Sequence, residues 1–119
     1  MANEDLRERT IRFSLRVLEV VDSLPRSTKG RNIADQLCRS GTSVAANYRA
    51  ACRSKSRADF VHKLGIVEEE ADEVLFWLEL IARAGMLPAP RLQPLMAEAN
   101  ELLSIVIASI NTARRRPRN

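Results

Sequence analysis

Two clusters of turn residues divide the chain more firmly than any other feature of its sequence. Glycine and proline gather at residues 25–30 and 85–90, and a weaker break falls at Ser54-Lys55-Ser56. The stretches between these breaks carry apolar residues at helical spacing. The 119 residues include only four glycines and five prolines, too few for an all-β domain with a turn roughly every 8–12 residues. The sequence therefore predicts helices separated by these breaks.

The predicted helices are long and their connections are mostly short. Ser56 and Asp59 form a capping-box pattern that marks the start of the third helix. Long amphipathic helices with short connections predict an all-α, antiparallel up-down-up-down four-helix bundle. We expect a single domain at residues 1–113 and a basic C-terminal tail at residues 114–119. The predicted helices run from Glu4 to Ser23, from Arg31 to Arg53, from Ser56 to Gly85, and from Pro88-Ala89-Pro90 to a stop before Pro117.

The second helix shows how the core is predicted. Its apolar residues recur at spacings of four and three, and Gly41 lies on that series. A helix break at Gly41-Thr42-Ser43 is the alternative, but the apolar series keeps its phase across the glycine. We therefore expect one continuous helix in which Gly41 lets a neighbouring backbone approach closely. The predicted core series of the second helix is Ile33, Leu37, Gly41, Val44, Tyr48 and Ala51. The same spacing gives the series of the other three helices: Leu6, Phe13, Val17, Val20, Val21 and Leu24 on the first; Phe60, Leu64, Val67, Ala71, Val74, Leu75, Leu78 and Ala82 on the third; and Leu92, Leu95, Met96, Ala99, Leu102, Leu103, Val106 and Ile110 on the fourth.

Two helices carry more apolar surface than the core of a four-helix bundle requires. On the first helix, Ile11 and Leu15 widen the apolar arc, and on the third, Ile66, Trp77 and Leu80 form a lateral patch. Extra apolar arcs of this kind are typical of contacts between subunits. These five residues are therefore predicted to form the interface of a homo-oligomer.

Charge is distributed unevenly along the chain. Residues 26–63 contain nine basic and two acidic residues, a balance of +7, whereas residues 64–83 contain six acidic and one basic residue, a balance of −5. Of the 19 lysines and arginines, 16 are arginine, the side chain best suited to bidentate contacts with phosphate or carboxylate. Three interpretations stay open: contact with nucleic acid, a solvated surface, and a head-to-tail ring in which a basic face meets an acidic face.

The predicted nucleic-acid-binding surface combines the second helix, the loop that follows it and the C-terminus. In helical projection, four arginines of the second helix lie within about 80° of one another, opposite the core series. Such an outward ridge would contact phosphates of RNA or DNA without reading sequence. The predicted binding residues are Arg31, Arg39, Arg49, Arg53, Lys55, Arg57, Arg114, Arg115 and Arg116.

The sequence gives little support for catalysis or for a bound group. His62 is the only histidine, the run at residues 68–73 lacks the Glu-x-x-His motifs of di-iron bundles, and no glycine-rich phosphate loop occurs. We therefore expect no enzyme activity, no metal and no cofactor. No apolar run approaches the ~18–20 residues that span a bilayer, and the N-terminus is charged. A cytoplasmic protein without membrane contact is the expectation.

Several motifs, taken in order, resemble a known bacterial family. They are Gln36-Leu37-Cys38-Arg39-Ser40, the run at residues 43–53, Ser56-Arg57-Ala58-Asp59-Phe60, and Glu69 to Glu73 leading into Phe76-Trp77-Leu78. In this order they resemble the four-helix-bundle proteins encoded in intervening sequences of 23S ribosomal RNA genes. That family also includes the accessory variability protein of diversity-generating retroelements.

The resemblance implies properties that the residues alone do not give. It implies a non-enzymatic homo-oligomer, specifically a pentamer, that associates with RNA or DNA and, in a retroelement, with a reverse transcriptase. The chain departs from the family at one place. Many members have Ser-x-x-x-Asn-x-x-Glu-Gly, whereas here Ser43 and Asn47 are followed by Ala50-Ala51. The missing acid makes the surface beside Arg49 and Arg53 more cationic.

Overall fold

The computed structural model describes residues 5–116, and within this range the chain forms four helices. They run in sequence as α1 (Leu6–Ser23), α2 (Thr28–Cys52), α3 (Arg57–Arg83) and α4 (Ala89–Arg115). Each helix packs against the next one along the chain, and α4 closes the bundle through a smaller contact with α1. The predicted all-α, antiparallel four-helix bundle is confirmed. None of the four helices combines the length and hydropathy needed to cross a membrane.

The helix starts follow from side chains that cap free backbone amides. Asp5 caps α1, and Ser56 caps α3 by accepting from the amide of Asp59 (3.1 Å), as the capping-box pattern predicted. Helix α2 begins three residues earlier than predicted, because Ser27 accepts from the amide of Gly30 and extends the helix into the predicted turn. At the C-terminal end of α3, Gly85 adopts a φ of 70°, the left-handed conformation that ends many helices.

The C-terminal boundary differs from the prediction. Helix α4 continues to Arg115, so Arg114 and Arg115 form its last turn instead of the start of a tail. Basic side chains there complement the negative end of the helix dipole. The predicted stop at Pro117 and the start at Glu4 lie outside the described residues.

The core contains the predicted series from all four helices. In α2, Leu37, Val44 and Ala51 are buried and Tyr48 is half-buried. Two buried apolar residues were missed: Ala113 of α4, and Ile81 of α3, whose neighbour Ala82 was placed on the core face instead. Three buried polar side chains, Thr10, Ser14 and Ser40, all hydrogen-bond to backbone carbonyls, so that their burial does not leave a polar group unpaired.

Gly41 packs directly against α1, where its neighbour is the side chain of Val17 and not a backbone as predicted. A methyl group at this position would lie 2.9 Å from Cβ of Val17 and closer still to its Cγ1. At the same point the hydroxyl of Ser14 donates to the carbonyl oxygen of Gly41 (2.7 Å). The glycine therefore sets the distance between the two helices, and α2 continues through it without a break.

A partly buried ion pair joins α1 to α4. Arg9 donates through Nε and Nη2 to both carboxylate oxygens of Glu98 (2.7 and 2.8 Å) and through Nη2 to Glu101 (2.7 Å). The side chains of Arg9 and Glu98 are 15% and 19% exposed, so water screens this pair less than a surface pair. The adjacent guanidinium lowers the pKa of Glu98, and the two carboxylates raise the pKa of Arg9.

Glu98→Gln is expected to lower the free energy of unfolding by about 2 kcal/mol at neutral pH, because a charge-assisted bidentate contact is lost. Since the pKa of Glu98 is lowered by folding, its contribution is present above the unfolded value near ~4.3 and disappears as the pH falls through the folded pKa. Urea unfolding of both proteins across this range checks the prediction. Glu79→Gln, in the exposed pair with Arg83, is the matched control and should change stability by less than about 0.5 kcal/mol. Equal effects of the two substitutions would contradict the prediction.

Candidate nucleic-acid interface

One end of the bundle carries a concentration of basic side chains. There the C-terminus of α2, the loop before α3 and the C-terminus of α4 meet, because Nη1 of Arg57 donates to the carbonyl oxygen of Arg116. Within residues 49–63 and 114–116 the only acid is Asp59, and it is paired with Lys63 (3.0 Å). We call this surface the basic end. It consists of Arg49, Arg53, Lys55, Arg57, Arg114, Arg115 and Arg116.

The predicted ridge along α2 is divided by the structure. Arg39 lies halfway along the helix and forms ion pairs with Glu73 and Glu70 of α3, the latter at 3.4 Å. These two carboxylates raise the pKa of Arg39. Arg31 lies at the opposite end of α2, about 33 Å from Arg53 at ~1.5 Å per residue, and donates to the carbonyl oxygen of Arg26. The structure therefore brings seven of the nine predicted binding residues together and separates Arg31 and Arg39 from them.

The pairing of Arg39 also bears on the predicted head-to-tail ring. In sequence, a basic segment is followed by an acidic one, so that the basic face of one subunit could contact the acidic face of the next. In the structure, Arg39 meets Glu70 and Glu73 of its own chain. Part of the acidic segment is thus neutralised within one subunit, which leaves fewer charges for contacts between subunits.

A first groove lies between α1 and α2 near the basic end. It measures about 560 Å³, and Ala45 and Ala46 form its floor on α2. Helix α2 also contributes Arg49, Cys52 and Arg53 to the lining, and the α1 side contributes Asp5, Arg7, Glu8 and Ile11. Small side chains on α2 explain the depression, because they leave the flank of α1 uncovered.

A second groove lies beyond the N-terminal start of α1, where α4 extends further than α1 does. Helix α1 has 18 residues and α4 has 27. Arg9 lies opposite Glu101, yet α1 extends only three more residues beyond this contact, while α4 continues another fourteen, about 21 Å. The uncovered part of α4 forms a groove of about 400 Å³ with the start of α3. We call it the end groove, and it is lined by Phe60, Ile105, Ala108, Ser109, Thr112, Ala113 and Arg116.

The residues predicted for an oligomer interface differ in exposure. Ile11, Leu15 and Leu80 are 45%, 56% and 37% exposed, whereas Ile66 and Trp77 are half-buried. Trp77 donates from Nε1 to Glu73 (3.1 Å). Two further exposed apolar side chains were missed, Phe76 and Ile107, at 54% and 41%. Phe76 stacks edge-on against Trp77. Its position four residues before Leu80, on the same face of the helix, could have identified it as part of the lateral patch.

Helix α2 also carries two cysteines and a tyrosine. Cys38 and Cys52 are free thiols; the first is half-buried and the second is exposed. Burial and the nearby Cys52 raise the pKa of Tyr48 to about 12, so its hydroxyl stays protonated at neutral pH. Among residues 5–116, no group of three or more histidine, cysteine or acidic side chains is arranged to hold a metal ion.

The fold and its surfaces first define the class: a four-helix-bundle protein with one strongly basic end. The chain belongs to the family of 23S rRNA-intervening sequence proteins, whose model matches residues 3–108. A solved structure of a protein of unknown function from the S23 ribosomal protein family of Bacteroides thetaiotaomicron VPI-5482 is 32% identical and superposes with a TM-score of 0.82. The match covers 87% of this chain and 96% of that one. None of the curated proteins compared with the chain matches it.

The comparisons confirm the family resemblance that the sequence motifs indicated. They do not test the relation to the accessory variability protein of retroelements, the subunit number or the binding residues. These stay predictions.

Proposed function

We propose that this chain is a non-enzymatic, homo-oligomeric four-helix-bundle protein that binds RNA or DNA through its basic end. The observation that carries the proposal is the contact between Arg57 and the carbonyl oxygen of Arg116, because it joins the basic loop to the basic C-terminus of α4. Phosphate contacts from such a surface give affinity without sequence specificity.

The replacement of an acid by Ala50 supports this location. Alanine has no charge, so neither Ala50 nor Ala51 offsets Arg49 and Arg53, whose side chains are both exposed. The amide of Asn47 donates to the carbonyl oxygen of Ser43 (2.9 Å), within the same helix. The last turns of α2 therefore carry no carboxylate of their own, and the nearest acids across the first groove are Asp5, which is paired with Arg7, and Glu8 of α1.

The proposal is tested by binding of a labelled single-stranded RNA, measured by fluorescence anisotropy. We expect tight binding at about 50 mM salt that is weakened by orders of magnitude at about 200 mM. Absence of binding at low salt would contradict it. A role beside a ribosomal RNA gene or a retroelement, with a reverse transcriptase as partner, follows only if nucleic acid binds.

Self-assembly alone is the second candidate function, and the exposed apolar side chains favour it. Ile11 and Leu15 line one flank of α1, and Phe76 and Leu80 line the outer face of α3. Charges of both signs, Arg7, Glu8, Arg12 and Glu19, flank the first surface, and the mainly acidic set Glu69, Asp72, Glu79 and Arg83 flanks the second. Because the two surfaces differ, a contact between them is head to tail, and we propose that repetition of this contact closes into a ring of five subunits. In this function the charged faces serve assembly and bind no nucleic acid.

Leu15→Glu is expected to convert the oligomer to monomers, because a buried carboxylate in the subunit contact has no partner. Sedimentation velocity at several protein concentrations checks this result. Ile107→Glu is the matched control, since Ile107 is similarly exposed on α4 but lies outside the predicted interface. A wild-type monomer at every concentration would contradict oligomerisation, and equal effects of both substitutions would contradict this interface.

A further inference from the structure

The end groove lies along one face of α4 that α1 covers only in part. Glu98 and Glu101 of this face contact Arg9 of α1. Ile105, Ala108 and Thr112 follow at spacings of four, three and four residues, so they lie on the same face. Among residues 5–116, α1 does not cover this face beyond Leu6, and Phe60 of α3 lines the groove there with α4.

The lining of the groove combines an aromatic ring with a few polar groups. Phe60 and the aliphatic side chains of α4 supply the apolar walls. The hydroxyl of Ser109 donates to the carbonyl oxygen of Ile105 (2.9 Å), which leaves its oxygen able to accept. The hydroxyl of Thr112 makes no hydrogen bond with the described residues and is exposed. A volume of about 400 Å³ falls within the range of roughly 300–1,000 Å³ typical of small-ligand sites.

The groove opens directly onto the basic end. Arg116 belongs to both, and the donation from Arg57 to its carbonyl oxygen fixes the last turn of α4 beside the start of α3. A ligand in the groove thus has an aromatic side chain and aliphatic side chains beside it, and Arg116 with the rest of the basic end nearby. A nucleotide has matching parts, because its base is flat and its phosphate is anionic.

We propose that the end groove binds an unpaired base of a single-stranded nucleic acid while the basic end binds the adjacent phosphates. The base stacks on Phe60, and the hydroxyls of Ser109 and Thr112 hydrogen-bond to its edge. This inference rests on the proposed function and deepens it, since a phosphate surface alone does not distinguish single strands from duplexes. A base within a duplex is stacked on both faces and does not reach the groove.

The test compares strands that carry the same phosphates with and without bases. The probes are a short oligoadenylate, its deoxy counterpart, a duplex of equal length and an abasic strand of equal length. We expect the full-length oligomer to bind the two base-containing single strands about five- to a hundredfold more tightly than the abasic strand, the range for one base–aromatic stack. Comparison of the ribose and deoxyribose strands shows which nucleic acid is preferred.

Two substitutions locate the effect in the groove. Phe60→Leu removes the ring but keeps apolar volume, and Ala108→Leu fills the groove from an exposed position without removing a core contact. Both should abolish the preference for base-containing strands and leave abasic binding unchanged. Phe76→Leu, an exposed aromatic on α3 outside the groove, should retain the preference. Thermal melting confirms that each variant is folded.

Other results overturn the inference in distinguishable ways. Equal binding of base-containing and abasic strands by the wild type, or a preference that survives both groove substitutions, overturns the base site but leaves the phosphate surface intact. Absence of binding to any strand overturns the proposed function itself.

Discussion

Reversing three charges at the basic end is expected to weaken RNA binding roughly hundredfold at low salt. Each lost phosphate contact reduces the number of counterions that binding releases, and each new acid repels phosphate. The variant combines Arg53→Glu, Lys55→Glu and Arg115→Glu. All three side chains are exposed, and none forms an ion pair within residues 5–116. Their replacement should therefore leave the fold unchanged, which circular dichroism and urea unfolding check.

A matched triple at the opposite end separates location from net charge. Arg26→Glu, Lys29→Glu and Arg31→Glu change the same residue types and the total charge by the same amount. This control is expected to weaken binding only a few fold, through the long-range field. Arg39→Glu is a less suitable control, because it would leave Glu70 and Glu73 without their cation. Equal losses in the two triples would show that net charge, and not the basic end, determines the affinity.

Gly41→Ala is expected to lower the free energy of unfolding by about 2 kcal/mol, although alanine favours helices over glycine. The added methyl group would lie 2.9 Å from Cβ of Val17, a branched core side chain that cannot rotate away. Separation of α1 from α2 would also lengthen the hydrogen bond from Ser14 to the carbonyl oxygen of Gly41. Urea unfolding measures the loss.

Gly65→Ala is the control with the same chemical change in an open site. A methyl group at Gly65 of α3 meets nothing within 4 Å. The helix-propensity gain should therefore raise the free energy of unfolding by up to about 1 kcal/mol. Stabilisation by both substitutions would mean that α1 and α2 are not in close contact at Gly41.

The helices and their core faces could be predicted from sequence because both depend on local patterns. The series through Gly41 identified a continuous helix and a close contact, and Ser56 identified the start of α3. The errors also have local causes. Ser27 lies in a cluster that reads as a turn, yet its side chain caps α2, and Ile81 was missed because its neighbour Ala82 also fits the core series.

The candidate site depends on distances that a sequence does not contain. Helical projection placed Arg39 with the other arginines of α2, but only packing against α3 brings it to Glu70 and Glu73. The contact between Arg57 and Arg116 joins residues 59 positions apart. The end groove arises from the difference in length between α1 and α4, and that difference has no signature in any single helix.

The salt dependence of RNA binding tests the central claim most directly. Seven basic side chains at one end should neutralise about four to seven phosphates of a single strand, which gives a slope of roughly −3 to −5 for log affinity against log salt concentration. In the triple variant at the basic end the slope should be shallower by about 2, whereas the control triple should keep the wild-type slope. A wild-type slope near zero, or equal slopes in the wild type and the basic-end variant, would contradict binding at this end of the bundle.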